Sequence, residues 1–138
     1  MKIFITHPAI NRVKLNDEQP VNMEAIGEIP DASCSKIQLN NILDYIANKD
    51  RDRALAAALS KLKIEGEIYL NGIDFLAAGN FIANGLISLD EVNQNIFNGK
   101  MSVDHINKVK DKLTQAGLEI VKVNMEGFSY NIIAKRKP

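Results

Sequence analysis

The stretch KIQLNNILDYIANKDRDRALAAALSKLKIEGEIYL, residues 36–70, decides the fold of this chain. It starts with a short apolar run at Lys36–Leu39 and finishes with another at Glu67–Leu70, and runs of this length predict buried strands. Between them, leucines recur every three or four residues among alanines, which predicts a helix over Arg51–Lys63 capped by Asp50. A strand, a helix and a second strand in this order predict two parallel strands of one sheet.

Shorter elements precede this unit. Lys2–Thr6 is rich in β-branched and aromatic residues and predicts a strand. Arg12–Leu15 and Val21–Ile26 predict two further short strands, separated by turn-forming residues. The apolar spacing in Ile42–Ile46 becomes helical, and the asparagines before it are suitable caps, so a helical turn is expected there.

Three helical segments follow residue 70. Ile73–Ala83 is apolar and broken by glycine, which predicts a short helix or a lid-like segment. The sequence SLDE at 88–91 matches a capping box and predicts a helix over Leu89–Asn98. An apolar face that recurs at helical spacing predicts a further helix between Ser102 and Gly117.

The chain closes with two strand-like segments. Leu118–Met125 and Phe128–Lys135 flank the turn Glu126-Gly127, so we predict an antiparallel hairpin. Alternating strands and helices predict a mixed, mostly parallel sheet with helices on both faces. We therefore expect residues 1–138 to form one α/β domain.

Composition excludes several classes of function. The chain has 138 residues, with 17 basic and 17 acidic side chains, and this balance argues against broad attraction to nucleic acid or anionic lipid. The apolar stretches are too short to span a membrane, and the N-terminus lacks the pattern of a secretory signal. A single cysteine cannot form an internal disulfide, so a cytoplasmic protein is expected. One cysteine and two histidines do not give the spacing of a metal site.

Five short segments carry a resemblance to a known family. They are EIPDAS at Glu28–Ser33, NILDYI at Asn41–Ile46, LKIEGEI at Leu62–Ile68, Ala116-Gly117-Leu118 and the last strand at Asn131–Arg136. In order and spacing they resemble the acidic-Leu-Pro loop, the His-Val-Leu-Glu-His-Ile segment, the Leu-Lys-Pro-Gly-Gly turn, the Ala-Gly-Phe helix end and the closing strand of class I S-adenosylmethionine-dependent methyltransferases. The resemblance implies a reduced, Rossmann-like methyltransferase fold.

The family's cofactor loop has no counterpart in this sequence. Members of the family hold S-adenosylmethionine with a glycine-rich loop after the first strand, where glycine lets the backbone approach the ligand. Thr6–Glu18 contains no glycine. We therefore expect no cofactor on the isolated chain and a non-catalytic, methyltransferase-like domain used for assembly or binding. The alternatives are an active S-adenosylmethionine-dependent methyltransferase with an atypical or partner-completed site, and a small domain that binds another ligand.

The candidate catalytic residues are few. His7 follows a predicted strand, where a general base would face the ligand crevice of an α/β protein, although a loop histidine is the interpretation that we favour. The resemblance implies that Asp44 and Tyr45 lie beside the methyl-acceptor side of the cleft, and Tyr45 is also compatible with simple packing on a helix. His105 is expected in the first turn of a helix, and Cys34 is expected to be a small buried side chain.

Three residues are candidates for holding a cofactor. The resemblance implies an acidic residue that binds the ribose near the second strand, and Asp17 and Glu24 are the nearby candidates. Asn71 follows a predicted central strand at its carboxyl end, where ligands of α/β proteins usually meet the sheet. Asn71 and the glycine after it are also compatible with a plain turn.

The apolar pattern also predicts the core and an interface. The expected buried cluster, in which Leu59→Ala would cost about 2–5 kcal/mol, consists of Leu55, Leu59, Ile68, Leu70, Ile106, Val109, Leu113, Ile120 and Ile132. The apolar segment Phe75–Ile87 and an exposed edge at Lys2–Thr6 predict a homodimer or docking onto another protein. In the alternative, Phe75–Ile87 fills the vacant cofactor crevice and the chain stays monomeric.

Overall fold

The computed structural model describes residues 1–8 and 17–138, which include one six-stranded sheet. The strands are β1 (Lys2–Thr6), β2 (Gln19–Asn22), β3 (Cys34–Asn40), β4 (Leu62–Ile73), β5 (Leu118–Glu126) and β6 (Ser129–Arg136). The helices are α1 (Asn48–Ser60), α2 (Phe75–Ala83), α3 (Leu89–Asn95) and α4 (Ile106–Gln115), with 3₁₀ turns at Met23–Glu28 and Leu43–Tyr45. The strand predicted at Arg12–Leu15 lies outside the described residues.

The strand order confirms the predicted mixed sheet. The order is β2-β1-β3-β4-β6-β5, in which β1 to β4 are mutually parallel and β6 runs antiparallel to both β4 and β5. The parallel pair β3 and β4 is joined through α1, as the unit over residues 36–70 predicted. The hairpin β5–β6 closes one edge of the sheet.

Several predicted boundaries are wrong because side chains end or start elements locally. The strand expected over Val21–Ile26 stops at Asn22, since the Asn22 side chain accepts a hydrogen bond from the Glu24 amide (2.9 Å) and starts a 3₁₀ turn. The helical turn expected over Ile42–Ile46 is a single 3₁₀ turn.

The two longest helices are also displaced from their predicted positions. Helix α1 begins at Asn48, after an N-cap at Ala47, so Asp50 lies in its first turn rather than at its cap. Helix α4 begins only at Ile106, because its first free amide is bound by the distant Asp74 carboxylate (2.8 Å). By contrast, the capping box before α3 is confirmed, with reciprocal bonds between Ser88 and Glu91.

Helices α1 and α4 pack on the same face of the sheet. Buried side chains of both helices belong to one cluster with alternate residues of the strands, such as Ile37, Leu70 and Ile132. The opposite face of the sheet does not belong to this cluster. That face carries polar side chains, including Lys36 and Asn131, which tolerate contact with water.

The predicted core is largely confirmed. Six of the nine residues are buried: Leu55, Ile68, Leu70, Val109, Leu113 and Ile132. The other three, Leu59, Ile106 and Ile120, are half-buried at the border of the same cluster. Cys34 is buried, as expected.

The expected edge at Lys2–Thr6 is wrong. Strand β1 pairs with β2 on one side and with β3 on the other, so both of its hydrogen-bonding edges are occupied. The outer strands are β2, which is short and contains Pro20, and β5, which has a register irregularity between Ile120 and Lys122. Proline, short length and irregular register all discourage pairing with another chain.

Leu55 is buried, whereas Leu59 is only half-buried. The large loss of stability that the sequence predicted for Leu59→Ala is therefore expected for Leu55→Ala instead. We expect Leu55→Ala to lower the free energy of unfolding by about 2–5 kcal/mol, because it leaves a cavity beneath α1. Leu59→Ala is the matched control, and its half-buried site should cost clearly less. Urea denaturation measures both, and equal losses would contradict the packing described for this helix face.

Candidate functional site

The carboxyl ends of the parallel strands define the place where an α/β sheet usually binds its ligand. In this sheet the order reverses between β1 and β3, because β1 is followed along the chain by β2 on one side and β3 is followed by β4 on the other. A crevice opens above such a reversal. Two candidate residues, His7 after β1 and Tyr45 in the turn after β3, lie at this point.

His7 and Tyr45 contact each other across the reversal. Their rings are stacked, with centroids 5.4 Å apart and an interplanar angle of 28°. The backbone of Gly99 lies behind the Tyr45 ring, since a Cβ built on Gly99 would be 3.6 Å from a ring carbon. The structure therefore brings two sequence-predicted site residues together, as a ring pair that bridges the crevice.

A cleft of about 510 Å³ lies beside this ring pair. Its walls are residues that follow β1 and β2 and one side of α1, namely His7, Pro8, Asn22, Met23, Glu24, Ile26, Ile46, Asp50, Arg53, Ala54 and Ala57. This volume and the mixture of apolar walls with a few charged groups are typical of small-molecule sites.

The two acidic candidates are placed at opposite ends of the outer strand β2. Glu24 lies just after β2 and lines the cleft. Asp17 precedes β2 and pairs with Lys2 at the amino end of β1, with 3.0 Å between Oδ2 and Nζ. The hydrogen bond from Lys2 lowers the pKa of Asp17. This placement favours Glu24 over Asp17 as a ligand-binding carboxylate.

A second, polar cleft of about 400 Å³ lies on the far side of Tyr45. Its lining includes Asn41, Gln94, Lys100 and Ser129, together with Tyr45 itself. The Lys100 ammonium donates to the Asn95 carbonyl (2.6 Å), and partial burial lowers its pKa. Tyr45 therefore separates an apolar-walled cleft above β1 and β2 from a polar cleft above β4.

Asp44, the third candidate for catalysis, is buried in the protein interior. Its side chain is 0% exposed. Oδ2 accepts a hydrogen bond from the Ile73 amide (2.9 Å), and Oδ1 accepts one from the Arg51 guanidinium (3.2 Å). Burial raises the pKa of Asp44, while these donors oppose the rise. This geometry favours a structural role for the carboxylate.

Arg51, in the first turn of α1, contacts three other segments of the chain. It is 2% exposed. Its guanidinium donates to the Leu43 carbonyl (3.0 Å), the Ser102 hydroxyl (2.9 Å) and the Tyr130 hydroxyl (3.4 Å), and its Nε lies 3.3 Å from Asp104 Oδ2. Sequence reasoning missed this residue, because an arginine in a helix normally predicts an exposed side chain.

Asp74 links α2 to α4. Its Oδ1 accepts from the Ala77 amide (2.9 Å), while Oδ2 accepts from the Ile106 amide and lies 2.9 Å from His105 Nδ1. Burial alone would raise the pKa of Asp74, but these hydrogen bonds together hold it below its usual value. His105 is the N-cap residue of α4, not the third residue of a helix as the sequence predicted.

Asn71 does not line either cleft beside Tyr45. Its Oδ1 accepts a hydrogen bond from the Asn41 amide (2.7 Å), and its side chain projects from the opposite face of the sheet to the helices. Among residues 1–8 and 17–138, no group of His, Cys, Asp and Glu side chains is arranged to hold a metal ion. In the same residues, no helix combines the length and the apolar character needed to cross a bilayer.

Comparison with known proteins identifies the fold through solved structures. No family model matches the sequence, and no curated protein matches it either. Solved structures do match. A SAM-dependent methyltransferase from Archaeoglobus fulgidus superposes with a TM-score of 0.59 at 14% identity, over 85% of this chain and 67% of that one. The chain has the fold of class I S-adenosylmethionine-dependent methyltransferases.

Two further structures support the same fold. A SAM-dependent methyltransferase from Thermotoga maritima, described as a possible histamine N-methyltransferase, matches with a TM-score of 0.60 at 17% identity, over 87% of this chain and 64% of that one. Magnesium protoporphyrin IX methyltransferase from Synechocystis, solved with bound SAH, matches with a TM-score of 0.58 at 10% identity, over 87% of this chain and 51% of that one. The chain thus spans between about half and two thirds of the length of these three proteins.

Substitution of Gly72 tests the close packing around Asp44. A Cβ on Gly72 would lie 2.8 Å from the Tyr130 hydroxyl and 3.1 Å from Asp44 Oδ1, so Gly72→Ala must displace one of these buried groups. We expect Gly72→Ala to lower the free energy of unfolding by about 1–3 kcal/mol. Gly79→Ala, in an open part of α2 with nothing within 4 Å, should be neutral or stabilise by up to about 1 kcal/mol. Thermal denaturation of both variants measures the difference, and a harmless Gly72→Ala would contradict the packing.

Proposed function

We propose that this chain is a methyltransferase-like domain that does not transfer methyl groups and that works through assembly. The observation that carries the proposal is the His7–Tyr45 ring stack, which bridges the crevice above the reversal of strand order. A ligand bound there in the usual manner would have to displace this stack.

Two properties of the chain support the same proposal. Asp44, which the family resemblance places beside the methyl acceptor, has both carboxylate oxygens bonded inside the protein. The segment Thr6–Glu18 has no glycine, and its third residue is Pro8, which has no amide proton to donate. The bonded Asp44 carboxylate is not available for proton transfer. The segment without glycine does not allow the close backbone approach by which the fold binds its cofactor.

A second candidate function is supported by the cleft beside the ring stack. The cleft of about 510 Å³ carries Glu24 after β2, where the family resemblance implies a carboxylate for the ribose. In this alternative the chain is an active S-adenosylmethionine-dependent methyltransferase with an atypical or partner-completed site. The two candidates differ in whether the isolated chain binds the cofactor.

Calorimetric titration with S-adenosylmethionine and S-adenosylhomocysteine distinguishes them. We expect no binding to the wild-type chain, because the ring stack and the glycine-free segment prevent close approach to the backbone. The corresponding thermal-shift signal is easy to detect, since a ligand at a hundred times its dissociation constant stabilises a protein by about 2.7 kcal/mol.

Variants of two glutamates make the titration decisive. If the alternative holds, Glu24→Ala should weaken binding at least tenfold, while Glu28→Ala, an exposed glutamate that does not line the cleft, should leave it unchanged. Saturable binding with that pattern would overturn the proposal in favour of the active enzyme.

The assembly that we propose uses an apolar surface around α2. We define the apolar surface as seven large side chains that are between 45% and 75% exposed: Phe75, Leu76, Ile82, Leu86, Leu89, Phe97 and Met101. Phe81 and Ile87, which belong to the same predicted segment, are half-buried, and the edge of the Phe81 ring contacts Phe128 at 5.7 Å between centroids. None of Phe75–Ile87 lines the cleft above β1 and β2, so this segment does not fill that crevice.

The size and charge of the apolar surface favour a second copy of the chain as its partner. The exposed fractions correspond to roughly 700 Å² of apolar area in total, which approaches the ~800 Å² that each partner buries in a stable interface. Residues 75–89 contain no charged side chain. In a two-fold dimer each surface meets itself, so this uncharged segment avoids like-charge repulsion.

Light scattering with size-exclusion chromatography tests this assembly. We expect a dimer mass at micromolar concentration for the wild type and a monomer mass for Leu76→Glu and Leu86→Glu, because both positions are exposed and a buried, unpaired carboxylate is costly. Ile64→Glu is the control, since Ile64 is equally exposed on β4 outside the apolar surface and should keep the dimer. A wild-type monomer up to about 100 µM, a concentration at which standard-size interfaces associate, contradicts the proposed partner.

A further inference from the structure

The sheet face opposite the helices carries a row of four asparagines. Asn40 on β3 pairs with Asn71 on β4, Asn71 pairs with Asn131 on β6, and Asn131 pairs with Asn124 on β5. Directly paired residues project from the same face of a sheet, with neighbouring strands roughly 4.8 Å apart. The row therefore crosses four adjacent strands as one straight line of side-chain amides.

Two further rows of the same face leave it polar, with Lys122 as the single unbalanced charge. One row alternates in sign across the strands, in the order Lys36, Glu67, Lys135 and Glu119. The other row contains Gln38, Tyr69, Ile133 and Lys122. Since opposite charges alternate, the face has no strong field that would favour an anionic or a cationic ligand.

A shallow groove follows the asparagine row. It has a volume of about 220 Å³, and its polar lining is Asn40, Asn71, Asn124, Asn131, Tyr69 and Lys122. Within residues 1–8 and 17–138, the side chains of Asn124 and Asn131 make no hydrogen bond to the protein, and Asn71 uses only Oδ1. The described structure thus leaves several amide donors and acceptors directed at solvent from a fixed, regular scaffold.

We propose that this groove binds a neutral oligosaccharide. Asn124 and Asn131 each offer two donors and one carbonyl acceptor, and Asn71 offers two donors. Sugar hydroxyls both donate and accept, so the two sets of groups are complementary along the row. The ring of Tyr69, in the adjoining row, supplies an apolar surface for one face of a sugar ring. The site lies on the opposite sheet face from the helices, so it is independent of the crevice function and of the apolar surface.

Other polymers fit the face less well. A single strand of nucleic acid needs a positively charged groove and several aromatic rings for stacking. Here the charges alternate, and among the residues that the structure describes Tyr69 is the one aromatic ring that lines the groove, with Lys36 Nζ 4.7 Å from its centroid. A second copy of the chain, stacked through its own asparagines, would not depend on sugar and is an outcome of the test.

Side-chain amide signals in two-dimensional NMR report binding directly. The probes are maltohexaose, cellohexaose, xylohexaose and chitohexaose, with oligo-uridylate as the charged comparison. We expect the NH₂ signals of Asn71, Asn124 and Asn131 to shift saturably with at least one hexasaccharide and not with oligo-uridylate. The signals of Asn80 and Asn84, which lie in and just after α2, should not move.

Variants separate recognition from a general effect on the fold. The double variant Asn124→Ala and Asn131→Ala should weaken binding of the responsive sugar at least tenfold, whereas Asn80→Ala should leave the affinity unchanged. The proposal is overturned if no hexasaccharide shifts the three signals at 10 mM, about the weakest range of specific binding, if both variants bind equally, or if the signals move with protein concentration alone.

Discussion

The ion pair between Asp44 and Arg51 is the interaction on which the rest of the structure depends. It joins the turn after β3 to α1, and Arg51 extends the connection to Ser102, Asp104 and Tyr130. Burial raises the pKa of Asp44 even with Arg51 beside it, so the ionised pair is retained at some cost in free energy. The ion pair instead fixes positions, because it holds the turn, the helix and the hairpin together at one place.

This arrangement also fixes the residues at the carboxyl ends of the parallel strands. The turn fixed by Asp44 also carries Tyr45, whose ring stacks on His7 across the crevice. Asp74 holds the starts of α2 and α4 together on the same side of the sheet. Asp44, Arg51 and Asp74 therefore hold several elements together at the carboxyl ends of the strands.

The sequence predicted the elements whose signals are local. The unit over residues 36–70 and the closing hairpin were correct because strand patterns, helix formers and turn residues act within short distances. Arg51 and the His7–Tyr45 stack depend on contacts between distant segments, and no short pattern encodes them.

A double-mutant cycle on Asp44 and Arg51 tests the central claim most directly. The free energy of unfolding in urea is measured for Asp44→Asn, Arg51→Met and the double variant. If the pair organises the carboxyl edge, each single change should cost about 3–5 kcal/mol, and the double change should cost less than the sum by at least about 1.5 kcal/mol. Single losses below about 1 kcal/mol that add without coupling would contradict the account.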